Sequence, residues 1–227
     1  MVGKTAKTKA ICLSISPWSQ TSHIVSWLTP TGKVTSSVKG AVRPKSAFLG
    51  QYDLNYVCEI VYYVNAKGDV HALRECAPLK LNEFLRPDYR RLLVAEHFRT
   101  ITSRLAPHGP DAGEWFALLD DAIARLEHAG NLLAELLAFE IAALKLMGLS
   151  PEIEAESGVF ALRGERRIAV SPETAACIRN PRSEKNLQIL VDASRVIGVF
   201  YIFHLDEPPK TRRHVIQAIQ QKKKEDR

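Results

Sequence analysis

Near residue 80 the hydrophobic pattern of this chain changes period, and that change narrows what the chain can fold into. Before it, apolar and β-branched residues come in short runs at 9–16 (KAICLSIS), 22–29 (SHIVSWLT), 32–40 (GKVTSSVKG), 54–64 (LNYVCEIVYYV) and 69–79 (DVHALRECAPL). Turn formers separate them, at Pro17, Pro30-Thr31-Gly32, Gly40 to Gly50 and Asn65 to Gly68. Five such strands with hairpin-length links predict a small closed β-barrel. A five-stranded OB-type barrel fits the count, and an SH3-like barrel fits it nearly as well.

After Pro87 the period becomes helical. In 88–106 the residues Leu92, Ala95, Phe98, Ile101, Thr102 and Leu105 share one stripe, and 114–129 repeats the pattern at Trp115, Phe116, Leu119, Ala122, Ile123 and Leu126. Asn131 is placed to cap a third helix, 132–148, apolar on most of its surface and so central to a bundle. Gly148 ends it, with Pro151 beyond. Residues 150–186 read as an irregular polar insert with a short hairpin around Arg163-Gly164-Glu165; 187–205 is helical again, and 208–227 is a basic C-terminal helix or tail. The expected architecture is α+β: an N-terminal barrel domain over 1–80 and a helical domain over 81–227.

Charge is distributed unevenly over these parts. Ten Lys and Arg stand against four acids in 1–80, fourteen against nineteen in 81–209, and seven against two in 210–227. No Asp or Glu precedes Asp53. Two basic ends around an acidic middle suit a surface that binds a polyanion, with solubility as the plainer explanation. No apolar run approaches the ~20 residues of a membrane helix. The basic start, MVGKTAKTKA, lacks a following hydrophobic segment, so a cytoplasmic protein is expected.

Several chemistries find no support. The sequence has no GxxxxGK[ST], no GxGxxG, no GxSxG and no HExxH. Cys12, Cys58, Cys76 and Cys177 are scattered without a CxxC pair and read as lone buried thiols rather than zinc ligands. Asp120-Asp121 and the cluster Glu152, Glu154 and Glu156 read as solvated carboxylates. The expectation is a protein that is not an enzyme and holds neither cofactor nor metal.

What remains is a cationic turn. Lys39, Arg43 and Lys45 surround Gly40 in VKGAVRPKSAFLGQ (38–51) without a neighbouring acid, a composition suited to following phosphates. Lys33 is expected nearby on the same track. Trp18, in a turn after Pro17, is the candidate base-stacking residue, whereas Trp27 and one of the adjacent tyrosines belong inside. Lys210, Arg212 and Arg213, at the entry to the last helix, would extend the track if the tail folds back beside the barrel. Lys222 to Lys224 at its end suit either nucleic acid or the helix dipole. The bundle offers grooves for a partner's helix or tail, though self-packing explains its stripes as well.

With this order in view, SPWSQTSHIVSWLTPTGKVTSSVKGAVRPKS (16–46) resembles the N-terminal signature of the RecO family of bacterial recombinational repair proteins. Thr29-Pro30-Thr31-Gly32-Lys33 matches its Thr-to-Gly-Lys turn with one residue fewer between Thr and Gly than in some members, and Lys39-Gly40-Ala41-Val42-Arg43 its basic run with the arginine displaced by one. Phe139-Glu140-Ile141 with Met147-Gly148-Leu149 resembles the end of its central helix. Phe203-His204-Leu205 with Pro209-Lys210-Thr211-Arg212 resembles its closing motif. Many members carry a four-cysteine zinc module where this chain has only Cys177 between 150 and 180, so the resemblance implies a metal-free module. It further implies a DNA-binding mediator that binds single- and double-stranded DNA and anneals complementary strands. With RecR, such a protein helps load RecA on DNA coated by single-stranded-DNA-binding protein, whose acidic C-terminal tail it contacts. Nucleoid association would follow. An OB-fold RNA-binding module or a protein-interaction adaptor without annealing activity is the alternative.

Overall fold

The computed structural model describes residues 4–109, 111–149, 153–154, 159–161, 167–205 and 210–225. They form two compact units, Met1–Glu83 with Thr102–Ile123, and Phe84–Ile101 with Ala124–Arg227.

In the first unit, β1 (Thr5–Pro17), β2 (His23–Thr29), β3 (Gly32–Val38), β4 (Val57–Tyr63) and β5 (Val70–Lys80) close into a barrel in the order β1-β2-β3-β5-β4. This is the OB-type arrangement rather than the SH3-like one. Every neighbouring pair is antiparallel except β3 with β5. Closure depends on the length of β1. Its first half, Thr5 to Ile11, pairs with β4; its second half, Ile11 to Pro17, pairs with β2. A bulge between Cys12 and Ser14 lies where the strand passes from one partner to the other, which is where a barrel needs added bend and twist.

The strands alternate as the period-two pattern requires. Ala10, Cys12, Val25, Trp27, Val38, Cys58 and Ile60 fill the interior. Trp27 is fully buried, and its indole N–H donates to Ser36 Oγ at 2.9 Å, so the one polar atom of the ring is satisfied inside the core. Of the adjacent tyrosines, Tyr62 packs against this core and Tyr63 is exposed.

The barrel unit also takes in 102–123, the end of α1 (Tyr89–Leu105) and most of α2 (Ala112–Arg125). Glycines make the approach possible. A Cβ on Gly32, whose φ is +141°, would lie 3.0 Å from the amide nitrogen of Gly109, and one on Gly113 would lie 3.1 Å from the Pro30 carbonyl oxygen. Two lysines fasten the contact: Lys33 Nζ donates to the Ser103 carbonyl at 2.7 Å, and Lys80 Nζ meets both Asp120 oxygens at 2.8 Å.

The helical unit is built on α3 (Leu132–Leu146), in which ten of fifteen residues are buried. Asn131 caps it as the sequence predicts, its side chain accepting from the amides of Leu133 and Ala134. At the other end Gly148 adopts φ +71° and the Leu149 amide reaches back to the Leu144 carbonyl. On α1 the buried set is Val94, Ala95, His97, Phe98, Ile101 and Thr102, so the stripe is rotated from the expected one and Leu92 is exposed. A small sheet of β6 (Ile153–Glu154), β7 (Val159–Ala161) and β8 (Arg167–Ala169) follows. The expected hairpin corresponds to β7 and β8; its turn residues lie outside the described residues, as does part of the Glu152–Glu156 cluster.

The region read as irregular to 186 also contains a helix, α4 (Pro172–Arg179). Ser171 caps it by accepting from the Thr174 amide, with Pro172 in its first turn. Then come α5 (Leu187–Leu205) and α6 (Thr211–Glu225). By length and composition α5 does reach what a membrane crossing needs, contrary to the expectation from the sequence. Eight of its residues are buried in the described structure, Ser194 and Tyr201 among them, as in the core helix of a bundle.

Candidate nucleic-acid interface

Two loops meet at one end of the barrel. The first, 18–22, joins β1 to β2 in a tight turn in which the Trp18 amide donates to the Ser22 carbonyl at 2.8 Å. The second leaves β3 at Lys39. It is stitched to the first by Val42 N–H to the Thr21 carbonyl (3.3 Å) and Gly40 N–H to Ser22 Oγ (3.3 Å). Gly40 has φ +66°, a conformation that favours glycine, and a Cβ there would lie 3.3 Å from Arg43 Cδ. The loop then advances by repeated three-residue turns. Arg43 N–H bonds the Gly40 carbonyl, Ser46 N–H the Arg43 carbonyl, and Leu49 N–H the Ser46 carbonyl. A long loop thereby gains a defined path from local backbone bonds.

Below the loops, His23 shares a 2.8 Å hydrogen bond with the Tyr52 hydroxyl. In register His23 sits opposite Pro17 on one side and Val38 on the other, between the roots of the two loops. Burial pushes the Tyr52 hydroxyl well above its ordinary pKa, with Cys12 and Cys76 adding to the effect, so it stays protonated and able to donate. Tyr52 also packs edge-on against Trp27, which ties the end of the cationic loop to the barrel core.

Lys39, Arg43 and Lys45 are all exposed on this loop. None of them meets a carboxylate among the described residues, whereas Lys7 pairs with Glu59, Arg74 with Glu75 and Lys80 with Asp120. Trp18 is 73% exposed. The barrel therefore presents, on hydrogen-bonded loops, three uncompensated cations and a solvent-facing indole.

Lys33 is elsewhere. It lies six residues earlier along the strand direction, about 20 Å from Lys39 at the rise of a β-strand, next to the opposite turn of the hairpin. Burial lowers its pKa, and its ammonium is committed to the Ser103 carbonyl.

At the start of α6 the three expected cations divide. Lys210 and Arg213 are exposed, but Arg212 points inward. Its Nε donates to Glu140 Oε1 (2.7 Å), and its Nη2 donates to Glu140 Oε2 (3.0 Å), the Ser194 carbonyl (2.8 Å) and Ser194 Oγ (3.1 Å). The expectation of a surface track through Arg212 thus meets a buried side chain that already serves an anion of the protein itself. Gly198 makes the space, since a Cβ there would stand 2.8 Å from Arg212 Nη1. On the other side His97 Nε2 bonds Glu140 Oε1 (2.9 Å), and His97 Nδ1 bonds the Thr211 hydroxyl (2.8 Å). The Tyr201 hydroxyl donates to the Glu140 carbonyl (3.1 Å). Burial alone would raise the Glu140 pKa; Arg212 and His97 outweigh it and hold the carboxyl down to about 2.

Sequence reasoning missed this network. Its signal was Glu140 on the apolar face of LLAELLAFEIAALKL, flanked by Phe139 and Ile141, a position where an acid stays only when paired. The helical unit also has a cleft of about 390 Å³ whose lining includes Lys185, Leu187, Ile219 and Asp88, the last paired with Arg90 (3.1 Å) and Arg91 (3.7 Å). Among the described residues no three His, Cys, Asp or Glu side chains gather as a metal site.

A closed OB-type barrel bearing these loops, followed in the same chain by a helical bundle, defines an OB-fold protein of two units. The chain belongs to the recombination protein O family. The model of that family's N-terminal part matches residues 1–82, and the model of its C-terminal part matches 86–213. The chain is similar to the DNA repair protein RecO of Rhodopirellula baltica, 32% identical over 71% of this chain and 61% of that protein. It is likewise similar to the DNA repair protein RecO of Moorella thermoacetica, 27% identical over 76% of this chain and 64% of the relative. The matches therefore span less than two thirds of the length of these curated relatives.

Proposed function

We propose that this protein is a non-catalytic mediator of recombinational DNA repair that binds single- and double-stranded DNA and speeds annealing of complementary strands. The observation that carries this reading is the exposed set Lys39, Arg43 and Lys45, uncompensated by carboxylates, on a loop hydrogen-bonded to the Trp18 turn. Cations that no internal anion neutralises attract phosphates and release counterions on binding. Two strands held against one positive surface repel each other less, which lowers the barrier to pairing. Membership of the recombination protein O family and similarity to proteins named for DNA repair point the same way.

The finer parts of the reading follow from the family. The protein would act with RecR in helping RecA onto DNA covered by single-stranded-DNA-binding protein, at the nucleoid in the cytoplasm. The acidic C-terminal tail of the covering protein would enter the cleft of the helical unit, where Lys185 offers charge beside the Arg90 and Arg91 that pair with Asp88, and Leu187 and Ile219 offer apolar surface. Lys210 and Arg213, exposed at the start of α6, remain candidates for further phosphate binding.

Fluorescently labelled complementary oligonucleotides test the central claim. The protein should accelerate their pairing, bare or coated, and K39A/R43A should lose most of that acceleration. Retention of a partner protein in pull-downs without any effect on oligonucleotides would instead assign an adaptor role, and a marked preference for RNA over DNA of the same sequence would assign an RNA module.

A further inference from the structure

The same two loops carry a second chemistry beside their charge. Trp18 is 73% exposed, Val42 47% and Leu49 56%, all on loops whose backbones are pinned by hydrogen bonds. Val42 is held directly against the Trp18 turn, because its amide bonds the Thr21 carbonyl. Exposed apolar side chains in isolation carry no message, but three on two joined loops, interleaved with Lys39, Arg43 and Lys45, make a surface that alternates apolar and cationic elements. Single-stranded nucleic acid alternates in the same way, between flat apolar bases and phosphates. A duplex offers phosphates on its outside and keeps its base faces stacked within.

We infer that Trp18, with Val42 beside it, is the specificity-determining element of this interface and gives it preference for an unpaired strand over a duplex, by stacking on a splayed base while the cations hold the flanking phosphates. This rests on the nucleic-acid reading proposed above. The turn supplies what stacking requires: the Trp18 amide bond to Ser22, and that of Ser19 to the same carbonyl, fix the backbone so that little ordering is left to occur on binding.

The fluorescence of the protein isolates the residue. Of the three tryptophans, Trp27 is fully buried and Trp115 only 3% exposed, so Trp18 alone can meet a base. Titration of the full chain with a 20-nucleotide dT strand, the matching U strand and a 20-base-pair duplex should quench its emission with the single strands and scarcely with the duplex. W18A should lose about thirtyfold in affinity for single strands, the middle of the range for one stacked base, and less than twofold for the duplex, with an unchanged dependence on salt. W18F should restore single-strand affinity, because a phenyl ring still stacks.

Equal losses for strand and duplex in W18A would show that Trp18 only supports the loops, and would overturn the inference. So would an unquenched wild-type emission with single-strand binding intact. Either result leaves the cationic loop as the binding element, provided K39A/R43A still weakens both forms. Wild-type protein that binds neither strand nor duplex at low salt would overturn the inference together with the function on which it rests. Comparable quenching by dT and U strands would mark recognition of unpaired bases in general, and a dT-only response recognition of unpaired DNA; both support stacking by Trp18.

Discussion

Arg212 and Glu140 stand 72 positions apart in the chain and meet inside the helical unit as a two-pronged ion pair, at 2.7 and 3.0 Å. Both carboxylate oxygens are used, and the Nη2 that reaches Oε2 also donates to Ser194. A residue that looks from its neighbours like part of a basic surface patch is therefore the internal pin of the last helix. Deleting one partner leaves the other charged and dry. R212A is expected to destabilise the protein by about 3–5 kcal/mol, measured by chemical denaturation. The exposed neighbour gives the control: R213A should fall within about 0.5 kcal/mol of wild type.

The same pair sets an acid limit. Glu140 has a folded-state pKa of about 2 against an ordinary value of 4.5. Its folded pKa is depressed, so its contribution is complete above the unfolded value and disappears as pH falls from 4.5 towards 2. The window corresponds to about 3 kcal/mol. Urea unfolding at pH 6, 4.5, 3 and 2 should show the decline, and E140Q, less stable at neutral pH, should show a flatter acid limb. A parallel decline in both proteins would place the acid sensitivity elsewhere.

Gly32 tests the docking of 102–123 on the barrel. Alanine there adds a Cβ 3.0 Å from the backbone of Gly109 at a φ of +141°. G32A is expected to cost about 1–3 kcal/mol, visible as a lower thermal midpoint. Once folded, it should bind oligonucleotides like wild type, because the cationic loop leaves the far end of β3.

Salt dependence separates the lysines. In K39A/R43A the slope of log K against log salt should fall by roughly 0.7 to 0.9 for each phosphate that is no longer neutralised, across unrelated DNA sequences. K33A should leave the slope unchanged, since that ammonium serves Ser103. A slope that responds to K33A and not to the double variant would move the phosphate track to the other end of the barrel.

The period change near residue 80 made the five strands and most helices legible, because alternation and helical stripes are local properties. What stayed hidden depends on partners far away in the chain. The Thr29-to-Lys33 turn and the Thr211-Arg212 pair carry family-like residues, and charge drew both into the nucleic-acid reading. In the fold, Gly32 and Lys33 receive 102–123, while Thr211 and Arg212 reach His97 and Glu140. Helix α4 was missed for another reason: eight residues give too little periodicity, and the Ser171-Pro172 start was the only local sign. Among the described residues, the Lys39, Arg43 and Lys45 run keeps all of its cations outward, whereas the Lys210-to-Arg213 run turns Arg212 inward; for the first, the absence of any acid before Asp53 was the useful signal.

The long first strand has one more implication. Because β1 gives one half to β4 and the other to β2, and these two strands are paired along their other sides with β5 and β3, neither β2 nor β4 has a vacant edge on which a visiting peptide could lie as a sixth strand. A protein that grips the barrel over those two strands must read their side chains, so surface substitutions there should be able to abolish an association while the scaffold beneath stays whole.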